Sequence, residues 1–282
     1  MEPESRAYGA FSRRELDDQY DTSKQLPDGD VGGYFDRFVA ASELARRTCA
    51  FETIRYGPHE RESYDFFAGS PAGPLFVWVH GGYWRRLSKD AFSFVAPPLV
   101  AAGVSVAILN YPLAPGPTLD AIVASVRAGF VAAAERACRF GGDPSRVFAG
   151  GHSVGAQLAA MLAASSELSG MLALSGLYDL EPLRHSHINE WIAMDAATAR
   201  RNSPLYRRPL GTPWLLIAAG GKEQPEFHRQ QRTYATAWRA WGGPVRELAA
   251  PDDDHFSIVL RLADEGSEPV RALLELIGAR SA

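Results

Sequence analysis

Short apolar runs recur along the chain and, from residue 74 onwards, alternate with longer stretches whose apolar residues return at helical spacing. Leu75 to Val79, Val104 to Leu109, Arg146 to Ala149, Met171 to Leu174, Pro213 to Ala219 and Val245 to Leu248 read as strands. Between them Ser88 to Ala102, interrupted at Pro97-Pro98, and Thr118 to Arg139 read as helices. So do Val154 to Ala164, Pro225 to Trp241 and Gly266 to Gly278. Repeated strand-helix units imply an α/β fold built on a mostly parallel central sheet with helices on both faces. Upstream, Cys49 to Arg55 and Glu62 to Phe67, parted by Tyr56-Gly57-Pro58, predict an antiparallel start to that sheet. Residues 1–47 read as an N-terminal arm lying over the body, with a turn at Pro27-Asp28-Gly29-Asp30 and a helix from Gly32 to Arg47. Residues 180–212 are polar, break the alternation and predict a small helical cap over the site.

Composition narrows this picture. At 282 residues the chain fits one long α/β domain, 1–282, and its formal charge of −4 comes with no basic stripe for nucleic acid. Cys49 and Cys138 have no metal-ligand spacing and read as free, buried apolar residues in a reducing compartment. The polar start Met1-Glu2-Pro3-Glu4-Ser5-Arg6 lacks the apolar core of a signal peptide, and no run approaches a membrane span. The expectation is a soluble cytoplasmic protein with a small-molecule partner, no nucleic acid and no membrane, and with a homodimer left open.

The chemistry centres on Gly151-His152-Ser153-Val154-Gly155, where the strand ending at Ala149 turns into the helix starting at Val154. Small residues on either side allow a tight backbone there. The turn would lift the Ser153 hydroxyl above the sheet edge and aim the first helical amides at whatever it attacks. A serine needs a base to take its proton and an acid to orient the base. His255, in Asp252-Asp253-Asp254-His255-Phe256 after the last strand, stands where that base belongs; His228 falls inside a helix. Glu223 follows the Pro213–Ala219 strand and is the favoured acid, with Asp179 and Asp252 to Asp254 as rivals. Glu226 lies in the first turn of the next helix, where an acid suits the helix dipole.

His80-Gly81-Gly82-Tyr83-Trp84 follows an earlier strand, where the second half of an oxyanion hole is built. Gly82, Tyr83 and Val154 are the expected amide donors, and the His80 ring braces the loop. Gly81, Trp84, His152, Tyr178 and Trp191 are expected around the substrate pocket, with aromatic rings as its apolar wall. His185 and His187 have no further ligand beside them and read as cap surface, not metal ligands.

Taken together, these motifs resemble the α/β-hydrolase superfamily and, more narrowly, its arylformamidase (kynurenine formamidase) branch beside the carboxylesterases. The resemblance rests on His80 to Trp84, Gly151 to Ala159, Gly176 to Leu183, Pro225 to Gln230, His255-Phe256 and the arm Arg14 to Tyr20. It implies Ser153 as nucleophile, His255 as base, and an acid at the position of Glu223, where aspartate is usual. It implies no cofactor and no metal. The reading is a serine hydrolase that cleaves a small amide or ester through an acyl-enzyme, most simply an N-formyl arylamine. A broad carboxylesterase or carbamate hydrolase is the alternative, and a non-catalytic small-molecule-binding module a distant one.

Overall fold

The computed structural model describes residues 6–26 and 28–278. The beginning of the arm and the Pro27 of its expected turn lie outside them. The described residues open with a small hairpin, β1 (Arg6–Tyr8) and β2 (Phe11–Ser12). Helix α1 (Arg13–Tyr20) follows. Ser12 starts it with a capping box, its hydroxyl accepting from Glu15 N–H while the Glu15 carboxylate accepts from Ser12 N–H. Helix α2 (Val31–Thr48) leads to the antiparallel pair β3 (Glu52–Arg55) and β4 (Ser63–Phe67), as the sequence predicts. Next come β5 (Leu75–Val79), the short helix α3 (Ala96–Ala101), β6 (Ser105–Leu109), α4 (Leu119–Phe140), β7 (Val147–His152) and α5 (Val154–Ala163). Strand β8 (Gly170–Leu174) runs into three short helices, α6 (Glu181–Arg184), α7 (Asn189–Ile192) and α8 (Ala196–Arg201), within the stretch expected to be helical. The remaining elements are β9 (Trp214–Ala218), α9 (Pro225–Ala240), β10 (Val245–Glu247), α10 (Ser257–Leu260) and α11 (Glu268–Ile277).

Eight strands form one sheet in the order β10-β9-β8-β7-β5-β6-β4-β3. The pairs from β10 to β6 are parallel and the last two, β6–β4 and β4–β3, antiparallel. Successive side chains of a strand point to opposite faces, so each central strand feeds two cores. Leu75, Val77 and Val79 pack with Ile122, Val126, Phe227 and Trp238 on the face covered by α4, α5 and α9. Phe76 and Trp78 pack with Phe38, Leu99, Val270 and Leu273 on the face covered by α2, α3 and α11. Fully buried Asp65 on β4 ties α2 to the sheet: it accepts from Thr53 and is paired with Lys89 Nζ at 2.9 Å and with Arg46 of α2.

Two expectations need correction. The helix read across Ser88–Ala102 is two 3₁₀ turns, at Lys89–Ala91 and Ser93–Val95, followed by α3. Pro97 and Pro98 sit in the first turn of α3 and begin it, because a proline has no N–H to lose there and its fixed φ already suits a helix. Cys138 is exposed, and not buried, because it projects from α4 beside the inward-facing Ala137; Cys49 is half-buried.

The sheet, the strand-to-helix elbow at Ser153 and the loop after β5 meet without spare room. A methyl group on Gly155 would lie 2.1 Å from the Val79 carbonyl, and one on Gly151 2.2 Å from the Gly155 carbonyl. These are rigid backbone atoms, so the substitution Gly155→Ala should destabilise the fold by at least about 2 kcal/mol. A drop in the chemical-denaturation midpoint, or loss of soluble protein, checks this.

Candidate active site

Ser153 is the residue between β7 and α5, with φ 58° and ψ −126°, a conformation that L side chains rarely adopt. The strain persists because both neighbours are fixed: Ser153 N–H donates to Leu174 O in the sheet, and all ten residues of α5 are buried. Small residues such as Ala156, Ala159, Ala160 and Ala163 let that helix lie close on the strands. Among the described residues seven non-glycine residues have positive φ, and five of them cluster in the loops beyond the strand ends around this serine: Tyr83, Trp84, Leu87, Ser153 and Ser175.

His255 and Glu223 meet. The His255 Nδ1–H donates to Glu223 Oε2 at 2.8 Å. The carboxylate is fully buried, and its other oxygen accepts from Gly220 N–H at 2.6 Å and from the Ser175 hydroxyl. His255 leans on His152, whose Nε2–H donates to the His255 carbonyl at 2.7 Å, with ring centroids 4.6 Å apart. Ser153, His152 and His255 line one cavity of about 250 Å³. No hydrogen bond joins the Ser153 hydroxyl to the His255 ring among the described residues, as is common in such sites before substrate tightens them. The rival acids are engaged elsewhere. Asp179 faces Arg229 at 3.6 Å, Asp253 pairs with Arg261, Asp254 accepts from Tyr34 at 2.6 Å, and Asp252 is exposed.

The loop after β5 passes directly over the elbow. A methyl group on Gly81 would lie 2.9 Å from the His152 carbonyl, and Gly82 has φ 108°. Among the described residues the amides of Gly82, Tyr83 and Val154 find no acceptor in the protein, so three donors are left unsatisfied at the turn. Buried His80 braces this loop, donating from Nδ1 to Gly81 O at 2.7 Å with Tyr111 stacked at 4.3 Å.

The pocket differs in part from expectation. Tyr83, His152 and Trp191 line the cavity, and Trp191 Nε1–H donates to the Tyr83 carbonyl at 3.3 Å while the Arg85 guanidinium lies 4.7 Å over its ring. Trp84 does not line it. Its ring is fully buried, and Nε1–H donates to Gln157 of α5 at 3.1 Å, fastening the loop to the helix. Tyr178 is also a core residue, stacked on Tyr234 at 4.1 Å with its hydroxyl over Gly176. Gly81 supports the elbow from behind the cavity wall. His228 is half-buried in α9 and takes no part.

The arm supplies what sequence reasoning missed. Tyr20, Asp21, Thr22 and Ser23, then Val31, Phe35 and Phe38 of α2, form one side of the cavity, with Phe256 and Leu87 completing it. The arm is held at several points. The Tyr83 hydroxyl donates to Tyr20 O at 2.7 Å, Tyr20 Oη donates to buried Glu226 at 2.8 Å, and Gln25 accepts from His255 N–H at 3.1 Å. His187, read as cap surface, lines the cavity with its amide and ring on Asp17 of the arm. The signal was present in α2, where Val31, Phe35 and Phe38 fall on one helical stripe. Among the described residues there is no group of three or more His, Cys, Asp or Glu placed to hold a metal ion, and no helix is long and apolar enough to cross a membrane.

Comparison with known proteins places this geometry. The profile of the α/β hydrolase fold family matches residues 76–258. The chain belongs to the α/β-hydrolase family. This hydrolase is 32% identical to the kynurenine formamidase of Danio rerio over 95% of its own length and 98% of the relative's. It is 28% identical to the kynurenine formamidase of Drosophila melanogaster, over 78% of its length and 79% of the relative's. Among solved structures it is similar to a candidate thioesterase from Silicibacter sp. TM1040, with TM-score 0.81 and 28% identity over 95% of this chain and 99% of that one. The chain is an α/β-hydrolase enzyme of the serine-hydrolase type.

Two buried imidazoles make its stability depend on pH. Burial pushes His80 down to about 4, and burial with His255 alongside holds His152 well below the ordinary histidine value of 6.5. Below about pH 6.5 the unfolded chain takes up protons that the folded chain refuses, so stability falls as pH drops from about 6.5 towards 4. His80 alone corresponds to a loss of about 3 kcal/mol over that range. Urea midpoints at pH 7.5 and pH 5.0 should show the decline.

Proposed function

We propose that the enzyme cleaves N-formyl arylamines, with Ser153, His255 and Glu223 as its triad. The observation that carries this is the hydrogen bond from His255 Nδ1 to the buried Glu223 carboxylate, made beside Ser153 in a cavity walled by Phe35, Phe38, Tyr83, Trp191 and Phe256. In the proposed course, Ser153 Oγ bonds to the formyl carbon as His255 Nε2 takes its proton. The oxygen that gains charge is held by the amides of Gly82, Tyr83 and Val154. The carbon–nitrogen bond then breaks, and His255 hands its proton to the departing arylamine nitrogen. Water loses a proton to His255, attacks the formyl ester on Ser153 and releases formate, and the proton returns to Ser153 Oγ. Glu223 keeps its charge throughout, fixing the imidazole tautomer and stabilising the imidazolium. The aromatic wall suits an aryl leaving group, and the likeness to the Danio rerio kynurenine formamidase over nearly the whole of both chains supports the same reading.

Ester cleavage is the second reading. The isoprenylcysteine alpha-carbonyl methylesterase of Arabidopsis thaliana is 32% identical over 42% of this chain, and the oxyanion geometry serves either bond. Purified enzyme should turn over N-formylkynurenine with a higher kcat/KM than short p-nitrophenyl esters; a large preference for the esters would decide for the second reading. Ser153→Ala should lower kcat on either substrate by at least about a thousandfold and abolish covalent labelling by a fluorophosphonate probe, read by mass spectrometry.

A further inference from the structure

The proposed acid carries one methylene more than an aspartate, and a longer arm has one more torsion through which its carboxylate can swing. Something must hold that carboxylate if its second oxygen is to face His255 reproducibly. Ser175 is placed to do so. It is the residue after β8, level with the end of β9, from whose following loop Glu223 projects. Its amide donates to Ala218 O at 2.7 Å, which fixes its backbone to the sheet, and its hydroxyl donates to Glu223 Oε1, the oxygen turned away from His255.

The backbone of Ser175 gives the second, independent observation. It has φ 50°, in the left-handed region where a side chain is penalised and glycine is not. The chain uses glycine freely and has one at the next position, Gly176, yet a serine occupies the strained one. The residue is 1% exposed, so its hydroxyl makes no gain from water. The gain that offsets the strain is on the carboxylate: with Gly220 N–H it forms a two-donor cradle that pins one oxygen and thereby aims the other.

We propose that Ser175 is a positioning residue for the reaction, acting through Glu223 on the orientation of His255. This rests on the triad reading above. Without the hydroxyl, Oε1 keeps a single donor, the carboxylate can pivot about it, and the imidazole is less often oriented to accept the serine proton. Substrate contacts are untouched, so the loss falls on kcat and not on KM.

The test uses Ser175→Gly, Ser175→Ala, Glu223→Gln and the double variant Ser175→Gly/Glu223→Gln, assayed with p-nitrophenyl acetate and followed by thermal unfolding. Ser175→Gly removes the hydroxyl and relaxes the backbone together. It should lower kcat about 10- to 100-fold, the worth of a hydrogen bond to a charged group, with KM within about twofold and Tm unchanged or raised. Ser175→Ala should lose as much kcat. The double variant should be no slower than Glu223→Gln alone, because the hydroxyl then has no carboxylate to aim. Near wild-type kcat in Ser175→Gly, alongside a crippled Glu223→Gln, would overturn the role of Ser175 and leave the triad standing. Losses that multiply in the double variant would overturn it too, as the mark of a merely structural residue. Full activity in Glu223→Gln would instead overturn the triad itself.

Discussion

Three stretches of backbone meet at Ser153 with no space for a methyl group between them: the end of β5, the turn out of β7 and the first turn of α5. In the proposed mechanism that closeness has a chemical purpose. Oxyanion donors act only within hydrogen-bond distance of the charge that develops, and backbone amides reach such a point only if their chains approach each other directly. Glycines at 81, 82, 151 and 155 make the approach possible, and the buried sheet and helices hold the strained dihedrals that result. The central strands, with side chains packed on both faces, are the scaffold against which that strain is maintained.

The parts of this arrangement that depend on local pattern were legible in the sequence. Strand-helix alternation announced the sheet, and the glycine spacing about Ser153 announced the turn. The position of Glu223 and His255 beyond the last strands brought them together in space because parallel strands deliver their ends to one edge. What failed to show was long-range. Trp84 and Tyr178 look like pocket aromatics beside catalytic motifs, but whether a ring faces a cavity or a core depends on what packs against it. Here Gln157 and Tyr234, from other elements, draw them inward. The Pro97-Pro98 pair was misread for a different reason: proline ends a helix or begins one according to where the first turn falls, and that is set by the neighbouring 3₁₀ turns.

The arm is the clearest case of information that local pattern does not hold. Its composition is that of a solvated surface segment, and α1 buries only Leu16 and Tyr20. Its place in the molecule comes from long-range contacts: Leu16, Tyr20 and Phe38 pack into the two cores, and hydrogen bonds reach Tyr83, Gln224, Glu226 and His255. Through these it closes one side of the cavity, so the shape of the pocket is fixed jointly by the first few dozen residues and by loops from the far end of the chain.

That joint construction sets an order of events during synthesis. The arm is made well before the later residues it docks on, and Gln25 cannot make its bond until His255 has emerged, 230 residues later. Until then the segment has only its earlier supports, Tyr83 and the core around Phe38, and lacks those from residues 224 to 256. A nascent chain can therefore assemble most of its sheet while the pocket stays open on one side, and the finished pocket appears only once His255 and Phe256 have been made.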